Sequence, residues 1–163
     1  MNEAQPKPWV LAVCAAESNA GKTMWVCALV RALTQAGYRV GTVKHTHKDF
    51  DVPGKDSARH RDAGACRVVL SAQNGRAVLI PEPERALTAL IASDFSDVDA
   101  VLVEGYRSAG VCIPKAFVGS LQECEGLENV VALLPRVSGP VPEEDATRAL
   151  AGLLESLGRP GAG

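Results

Sequence analysis

Residues 16–23 read Ala16-Glu17-Ser18-Asn19-Ala20-Gly21-Lys22-Thr23, a run of small and polar residues that ends in Gly-Lys-Thr. An apolar run at 9–15 precedes it and a helical pattern follows it, so a strand, a loop and a helix come in succession. In that context the main-chain N–H groups of the loop and of the first helical turn can converge on a phosphate. We therefore predict a phosphate-binding loop. A surface turn before a helix is the plainer alternative.

Two side chains of this loop have the chemistry to bind a triphosphate and its metal ion. We expect the Lys22 ammonium to reach the β- and γ-phosphates, and the Thr23 hydroxyl to complete the coordination shell of Mg²⁺. Ala16 stands where the usual pattern has its first glycine. The backbone at that position must therefore adopt a conformation that alanine tolerates.

Length, composition and charge restrict the class of protein. The chain has 163 residues, of which 47% are apolar and 22% charged, and its formal net charge is −2. These values are typical of a single soluble globular domain, and without a basic excess we expect binding neither to nucleic acid nor to a membrane surface. No apolar run approaches the roughly 20 residues of a membrane span, and the N-terminus lacks the pattern of a secretory signal.

The cysteines favour a reducing compartment. There are five of them, an odd number, and none forms a CxxC pair. Cys14 falls on an apolar strand and Cys27 on an apolar helix, where we expect both to be small core residues. The predicted location is the cytoplasm.

The spacing of apolar residues predicts strands that alternate with helices. Strands are expected at 9–15, 39–44, 98–103, 113–118 and 130–134, and two β-type runs at 66–70 and 76–80 flank Asn74-Gly75, a strong hairpin signal. Helices are expected from the loop to Gly37, at 58–63 behind a cap at Asp56 or Ser57, at about 84–93, and at 142–157. We predict a mostly parallel α/β sheet with one antiparallel hairpin inserted.

Three strands of the predicted sheet end in polar residues. The first ends in the loop, the second in the polar segment 44–51, and the run 98–103 in Glu104. Ligands of open α/β sheets bind beyond the carboxyl ends of the strands, so these groups are expected to meet. A carboxylate after an apolar strand commonly holds Mg²⁺ directly or through water, which makes Glu104 the predicted partner of Thr23. An ordinary polar strand end is the alternative.

The segment Lys44-His45-Thr46-His47-Lys48-Asp49-Phe50-Asp51 allows three interpretations. If it is extended, four side chains lie on one side and have a spacing that could bind a transition metal: His45, His47, Asp49 and Asp51. It could also be a solvated loop. The third interpretation places Lys44 and His45 at the phosphate or substrate pocket, where Asp49 or Asp51 joins the Mg²⁺ shell or orients a water. The candidate catalytic residues are Asp49, Asp51 and Glu104, and Asp49 is also a candidate metal ligand.

Several of these blocks resemble the MobB family, the molybdopterin-guanine dinucleotide biosynthesis adapter proteins. The resemblance rests on KHTHKDFD at 44–51, PGKDS at 53–57 and the strand end Val103-Glu104-Gly105-Tyr106, and it runs from Trp9 to about Val118. It implies an α/β fold with a three-layer, P-loop NTPase-like, mostly parallel sheet and an inserted antiparallel hairpin. On that basis we expect one nucleotide-binding domain at 9–157, a flexible N-terminus at 1–8 and a disordered tail at 158–163.

The resemblance also implies a function. Family members are homodimers that bind GTP with Mg²⁺, hydrolyse it weakly, and assist the guanylyltransferase that joins GMP to molybdopterin. Carried onto this chain, the phosphate site comprises Glu17, Ser18, Asn19, Ala20, Gly21, Lys22 and Thr23. Thr23 and Glu104 then belong to the magnesium shell.

The residues themselves leave the base and the catalytic rate open. The Asn/Thr-Lys-x-Asp string that reads guanine in many GTPases is absent from the sequence. No residue is an evident arginine finger or a well-placed catalytic base, which fits at most a slow GTPase. One alternative is a P-loop small-molecule kinase with charges from Arg59, Arg61, Arg67 and Arg76. Another is a metal-binding chaperone that uses His45 and His47.

Overall fold

A computed structural model of the chain describes residues 8–46, 51–107 and 113–159. The chain divides into two compact units, a larger one formed by residues 1–45 and 87–163 and a smaller one formed by residues 46–86. Residues 1–7 and 160–163, which include most of the predicted flexible ends, lie outside the described residues. The predicted domain boundaries therefore stay a prediction.

The described residues form seven strands and four α-helices. The strands are β1 (Trp9–Cys14), β2 (Val40–Lys44), β3 (Val68–Ala72), β4 (Gly75–Leu79), β5 (Ala100–Glu104), β6 (Lys115–Val118) and β7 (Val130–Leu134). The helices are α1 (Lys22–Gln35), α2 (Asp56–Asp62), α3 (Leu87–Asp94) and α4 (Glu143–Ser156), and a short 3-10 helix spans Gln122–Cys124. This order confirms the predicted alternation of strands and helices.

The larger unit is built on a parallel sheet in the order β2-β5-β1-β6-β7. Its central strands are apolar on both faces, as parallel strands covered by helices on both sides require. Leu11 of β1 lies opposite Leu102 of β5, and Val13 lies opposite Ala116 of β6. Because all the strands point the same way, their carboxyl ends meet at one edge of the sheet.

Helices cover the two faces of this sheet. Leu29 and Leu33 of α1 and Leu153 of α4 pack with Leu11 and other buried residues on one face. On the opposite face, Leu87 and Ile91 of α3 pack with Val101, Val103 and neighbouring residues. The predicted three-layer α/β architecture is therefore confirmed.

The smaller unit contains α2 and the antiparallel hairpin β3–β4. The hairpin confirms the prediction, with Leu70 opposite Ala77 and Ala72 opposite Gly75. Its two connecting residues are Gln73 and Asn74, so the turn lies one residue earlier than the Asn-Gly pair suggested.

Two local predictions were wrong. The α2 N-cap position is Lys55, with no capping side chain, because the Ser57 hydroxyl donates instead to the Asp51 carboxylate. Cys27 is exposed, since the buried stripe of α1 runs through Val26, Leu29 and Leu33 and leaves the neighbouring position outside it. Cys14 is a small core residue as predicted, and burial raises the pKa of its thiol.

Candidate functional site

The segment between β1 and α1 forms a tight loop with left-handed backbone positions. Asn19 has φ 62° and Gly21 has φ 98°, and Gly21 occupies the N-cap position of α1. No side chain among the described residues caps this helix. Gly21 and Lys22 are partly exposed and Thr23 is exposed, so the start of the helix remains open to a ligand. A helix N-terminus in this state favours an anion.

Position 21 requires glycine because of a close neighbour as well as because of its backbone conformation. A Cβ atom added to it would lie 2.5 Å from the Val137 Cγ2 atom and 2.6 Å from the Val137 carbonyl oxygen. The Val137 N–H also donates to the Ala20 carbonyl, with 3.4 Å between N and O. The segment that follows β7 therefore packs directly on the loop.

The Lys22 side chain turns back over the loop. Its Nζ donates to the main-chain carbonyl oxygen of Glu17, 2.8 Å away. This contact links the last part of the loop to its beginning. The ammonium is a mobile donor on a flexible stem, so a phosphate oxygen can replace the carbonyl as its acceptor.

Thr23 and Glu104 meet at the carboxyl edge of the sheet, as the strand ends predicted. The Thr23 hydroxyl donates to the Glu104 Oε1 atom over 2.8 Å. Glu104 ends β5, directly beside β1, and its side chain is only 13% exposed. A hydroxyl and a carboxylate in contact are the hard oxygen ligands that Mg²⁺ prefers, so the donor set fits this ion.

Lys44 joins the same carboxylate from the other side. It ends β2, pairs in register with Glu104, and places its Nζ 3.1 Å from Glu104 Oε1. The Lys44 side chain is 63% exposed. The Lys44 ammonium balances the negative charge of the Glu104 carboxylate at the end of β5. A metal cation bound at Thr23 and Glu104 would balance that charge in its place.

His45 lies just beyond Lys44, next to the end of β5. Its main-chain N–H donates to the Glu104 carbonyl over 3.2 Å, and its ring centroid lies 4.5 Å from that of Tyr106. Gly105, with φ 96°, donates its N–H to the Val13 carbonyl over 3.1 Å. The ends of β1, β2 and β5 are thus tied together around Glu104.

The remainder of the polar segment divides between described and undescribed residues. His47 and Asp49 lie outside the described residues, so the candidate roles of Asp49 stay predictions. In the described part of the chain, no three His, Cys, Asp or Glu side chains are grouped so that they could hold a metal ion.

Asp51 belongs to the smaller unit and is engaged there. The Ser57 hydroxyl donates to its Oδ1 over 2.8 Å, and the Arg61 NH1 donates to its Oδ2 over 3.0 Å. The Asp51 side chain is only 4% exposed. Both carboxylate oxygens therefore hold α2 in place, and the candidate catalytic role of Asp51 stays a prediction.

Sequence reasoning missed a charged group on the other side of the loop. Arg136, after β7, lies 3.5 Å from a Glu17 carboxylate oxygen through NH1 and forms an ion pair with Glu123 through NH2. The main-chain N–H of Ser120 and the Arg136 guanidinium hold the pKa of the Glu123 carboxyl below its usual range. These residues follow β6 and β7 at the same sheet edge as Glu104, but the sequence does not specify that these two strands lie on this side of β1.

Comparison with known proteins assigns the chain to a family. Residues 10–126 match the model of MobB, described as molybdopterin guanine dinucleotide synthesis protein B. The chain belongs to the MobB family. The resemblance seen in the 44–51 and 53–57 blocks is thereby confirmed.

Curated MobB relatives match large parts of the chain. A molybdopterin-guanine dinucleotide biosynthesis adapter protein of Escherichia coli K12 is 41% identical over 99 residues, which are 57% of this chain and 57% of that protein. The chain thus spans less than two thirds of that relative's length. A protein of the same name from Haemophilus influenzae is 33% identical over 131 residues, 78% of this chain and 72% of that one.

A solved MobB structure shows the same fold. The crystal structure of a molybdopterin-guanine biosynthesis protein B superposes with a TM-score of 0.68 at 24% identity, and covers 92% of this chain and 99% of the other. This likeness confirms the P-loop NTPase-like fold. None of the helices in the described ranges is both long and apolar enough to cross a bilayer.

Proposed function

We propose that the protein binds GTP together with Mg²⁺ and acts as an adapter in the synthesis of the molybdopterin guanine dinucleotide cofactor. The observation that carries the proposal is the 2.8 Å contact between Thr23 and Glu104 beside the open N-terminus of α1. At one edge of the sheet, this contact places two candidate ligands for a metal ion, Thr23 and Glu104, next to a helix N-terminus that favours an anion. The names of the curated relatives support the cofactor and its guanine nucleotide.

The loop holds the phosphates. Residues 17–23 supply main-chain N–H groups, and Lys22 exchanges its present acceptor, the Glu17 carbonyl, for β- and γ-phosphate oxygens. The exchange replaces a neutral acceptor by a charged one, and charge-assisted hydrogen bonds are roughly twice as strong as neutral ones. Triphosphate binding therefore favours the position of the Lys22 side chain in which its ammonium contacts the phosphates.

Thr23 and Glu104 are the residues that would hold the metal ion. The Thr23 hydroxyl and, directly or through water, the Glu104 carboxylate would bind Mg²⁺, whose charge would take the place of the exposed Lys44 ammonium at Glu104. Lys44 and His45 then line the terminal-phosphate end of the site. When bound, the ion would supply positive charge that neutralises the phosphates.

The positions of the acidic side chains support slow hydrolysis. Glu104 accepts from Thr23 and from Lys44, and Asp51 accepts from Ser57 and Arg61. A carboxylate engaged in this way is a poor general base for an attacking water. We propose that the protein is at most a slow GTPase. The bound nucleotide then serves mainly to set the state in which the adapter contacts its partner enzyme, the guanylyltransferase that joins GMP to molybdopterin.

The hairpin supports a homodimer. Three apolar side chains share one face of the hairpin by the alternation of its strands and are between 43% and 50% exposed: Val69, Val78 and Ile80. A two-stranded hairpin alone is marginally stable, and an apolar surface of this kind is covered in a stable protein. We propose that a second copy of the chain covers this surface. We also place the protein in the cytoplasm, where free thiols persist.

The experiment is a calorimetric titration of Mg²⁺ and GTP into the wild type and the Lys22→Ala variant. Loss of hydrogen bonds between a charged group and the phosphates is expected to weaken binding roughly 10- to 150-fold. Arg31→Ala is the matched control, since it removes an exposed positive charge from the same helix. Equal affinity of wild type and Lys22→Ala would contradict the proposed phosphate site.

A further inference from the structure

A charged cluster flanks the loop on the side opposite Glu104. The Arg136 guanidinium bridges the carboxylates of Glu17, in the loop, and Glu123, in the 3-10 helix. The Ser120 N–H donates to Glu123 Oε2 over 2.8 Å. The proposed phosphate and metal contacts use none of Ser120, Glu123 and Arg136, so the cluster needs an explanation of its own.

The sheet order shows which part of a nucleotide reaches this cluster. The metal end of the proposed site lies at Thr23 and Glu104, on the β5 side of β1. A triphosphate bound along the loop therefore directs its nucleoside away from β5, towards β6 and β7. Ser120 follows β6, and Arg136 follows β7.

The segment after β7 is fixed by contacts on both sides of Arg136. The Trp25 indole N–H donates to the Pro135 carbonyl over 2.8 Å, and Val137 packs on Gly21. Arg136 stands between these two anchors, so its main chain is held while its side chain is 41% exposed. An exposed guanidinium on a fixed backbone suits recognition of a ligand edge.

The Glu123 carboxylate accepts from one main-chain group, the Ser120 N–H. The Arg107 side chain holds the main chain of the same residue, because it donates to the Glu123 main-chain carbonyl over 3.2 Å. Gly119, with φ 146°, leaves the space that the carboxylate occupies, because a Cβ atom there would lie 2.8 Å from Glu123 Oε2. Glu123 thus presents a charged, pre-oriented pair of acceptors.

We infer that Glu123 and Arg136 read the base of the bound nucleotide and select guanine; this inference rests on the proposed function. The Watson–Crick edge of guanine carries one acceptor, O6, followed by two donors, N1–H and the N2 amino group. A guanidinium beside a carboxylate offers the complementary order, donors followed by two acceptors. Adenine presents a donor and then an acceptor, the reverse order, and would leave polar groups unpaired.

Glu123 takes the role in guanine selection that the Asn/Thr-Lys-x-Asp string has in many GTPases. The acceptor that this string would supply comes instead from Glu123, in the segment between β6 and β7. The ion pair with Arg136 keeps the carboxylate charged and oriented before the nucleotide binds. When guanine binds, the Arg136 guanidinium donates to O6, and the Glu123 carboxylate accepts from N1–H and from the N2 amino group.

The test is Glu123→Gln, titrated with GTP, with xanthosine triphosphate and with inorganic tripolyphosphate, each with Mg²⁺. Xanthine has a carbonyl in place of the C2 amino group, and a glutamine amide offers the donor that this carbonyl needs. GTP affinity is expected to fall and xanthosine triphosphate affinity to rise, each by roughly 5- to 150-fold. Tripolyphosphate affinity is expected to stay within about twofold, because it makes no base contact.

Glu125→Gln is the matched control. It removes the same charge from an exposed position two residues further on, and is expected to change no affinity. If the wild type binds GTP and Glu123→Gln keeps the same preference for GTP over xanthosine triphosphate, the assignment of Glu123 is wrong while the phosphate site stands. If the wild type binds neither GTP nor tripolyphosphate, the proposed function fails and this inference with it.

Discussion

Gly21→Ala tests the closest contact of the candidate site. The residue has φ 98° and ψ 13°, a conformation that alanine adopts only under strain. The new Cβ would also lie 2.5 Å from Val137 Cγ2 and 2.6 Å from the Val137 carbonyl oxygen. The second contact involves the main chain, so a rotamer change of the Val137 side chain cannot relieve it.

The size of the effect follows from these two sources. Backbone strain of this kind costs about 1–3 kcal/mol, and overpacking costs about 1–3 kcal/mol. A shift of the segment after β7 relieves part of both at once. We therefore expect the free energy of unfolding to fall by roughly 2–4 kcal/mol.

Urea denaturation of wild type and variant measures this change. Gly152→Ala is the matched control, because Gly152 is exposed inside α4 and a Cβ atom there meets nothing within 4 Å. The same substitution in a helix interior is expected to stabilise by about 0.5–1 kcal/mol. Equal and small effects of both substitutions would refute the packing of Val137 against the loop.

Two further predictions concern Glu104 and Asp99. Glu104→Gln is expected to weaken GTP binding in the presence of Mg²⁺ more than GTP binding in its absence, since the amide is a poorer Mg²⁺ ligand. Calorimetry with and without Mg²⁺ measures both affinities. Equal losses of affinity would remove Glu104 from the metal shell. Hydrogen bonds from Arg39 hold the pKa of the Asp99 carboxyl below its usual range. The stabilisation is thus present above the ordinary aspartate pKa of about 3.9 and is lost as the pH falls through the lower folded-state value. The stability difference between wild type and Asp99→Asn should shrink over that acidic range, and a pH-independent difference would contradict the assigned cause.

The sequence predicted the parts of the fold that depend on local patterns. Apolar runs, the Gly-Lys-Thr ending and the helical spacing of Val26, Leu29 and Leu33 are readable within short windows. The contact between Thr23 and Glu104 was also predictable, because parallel strands bring their carboxyl ends to one edge. The contact itself also requires that β1 and β5 are neighbours, as the structure shows.

Two features were not predicted, and they depend on strand order and on competition for the same group. Arg136 reaches Glu17 because β6 and β7 follow β1 across the sheet. The sequence pattern does not specify that order. Asp51 has the chemistry of a metal ligand, but Arg61, ten residues on, supplies a competing partner that only the structure reveals.

Titration of the wild-type protein with GTP and Mg²⁺, followed by displacement with inorganic tripolyphosphate, shows whether the loop at 16–23 binds a triphosphate. We expect saturable binding of one nucleotide per chain, weaker binding without Mg²⁺, and competition by tripolyphosphate for the loop. Absence of saturable binding by both ligands, in protein that is folded by circular dichroism, would contradict this expectation.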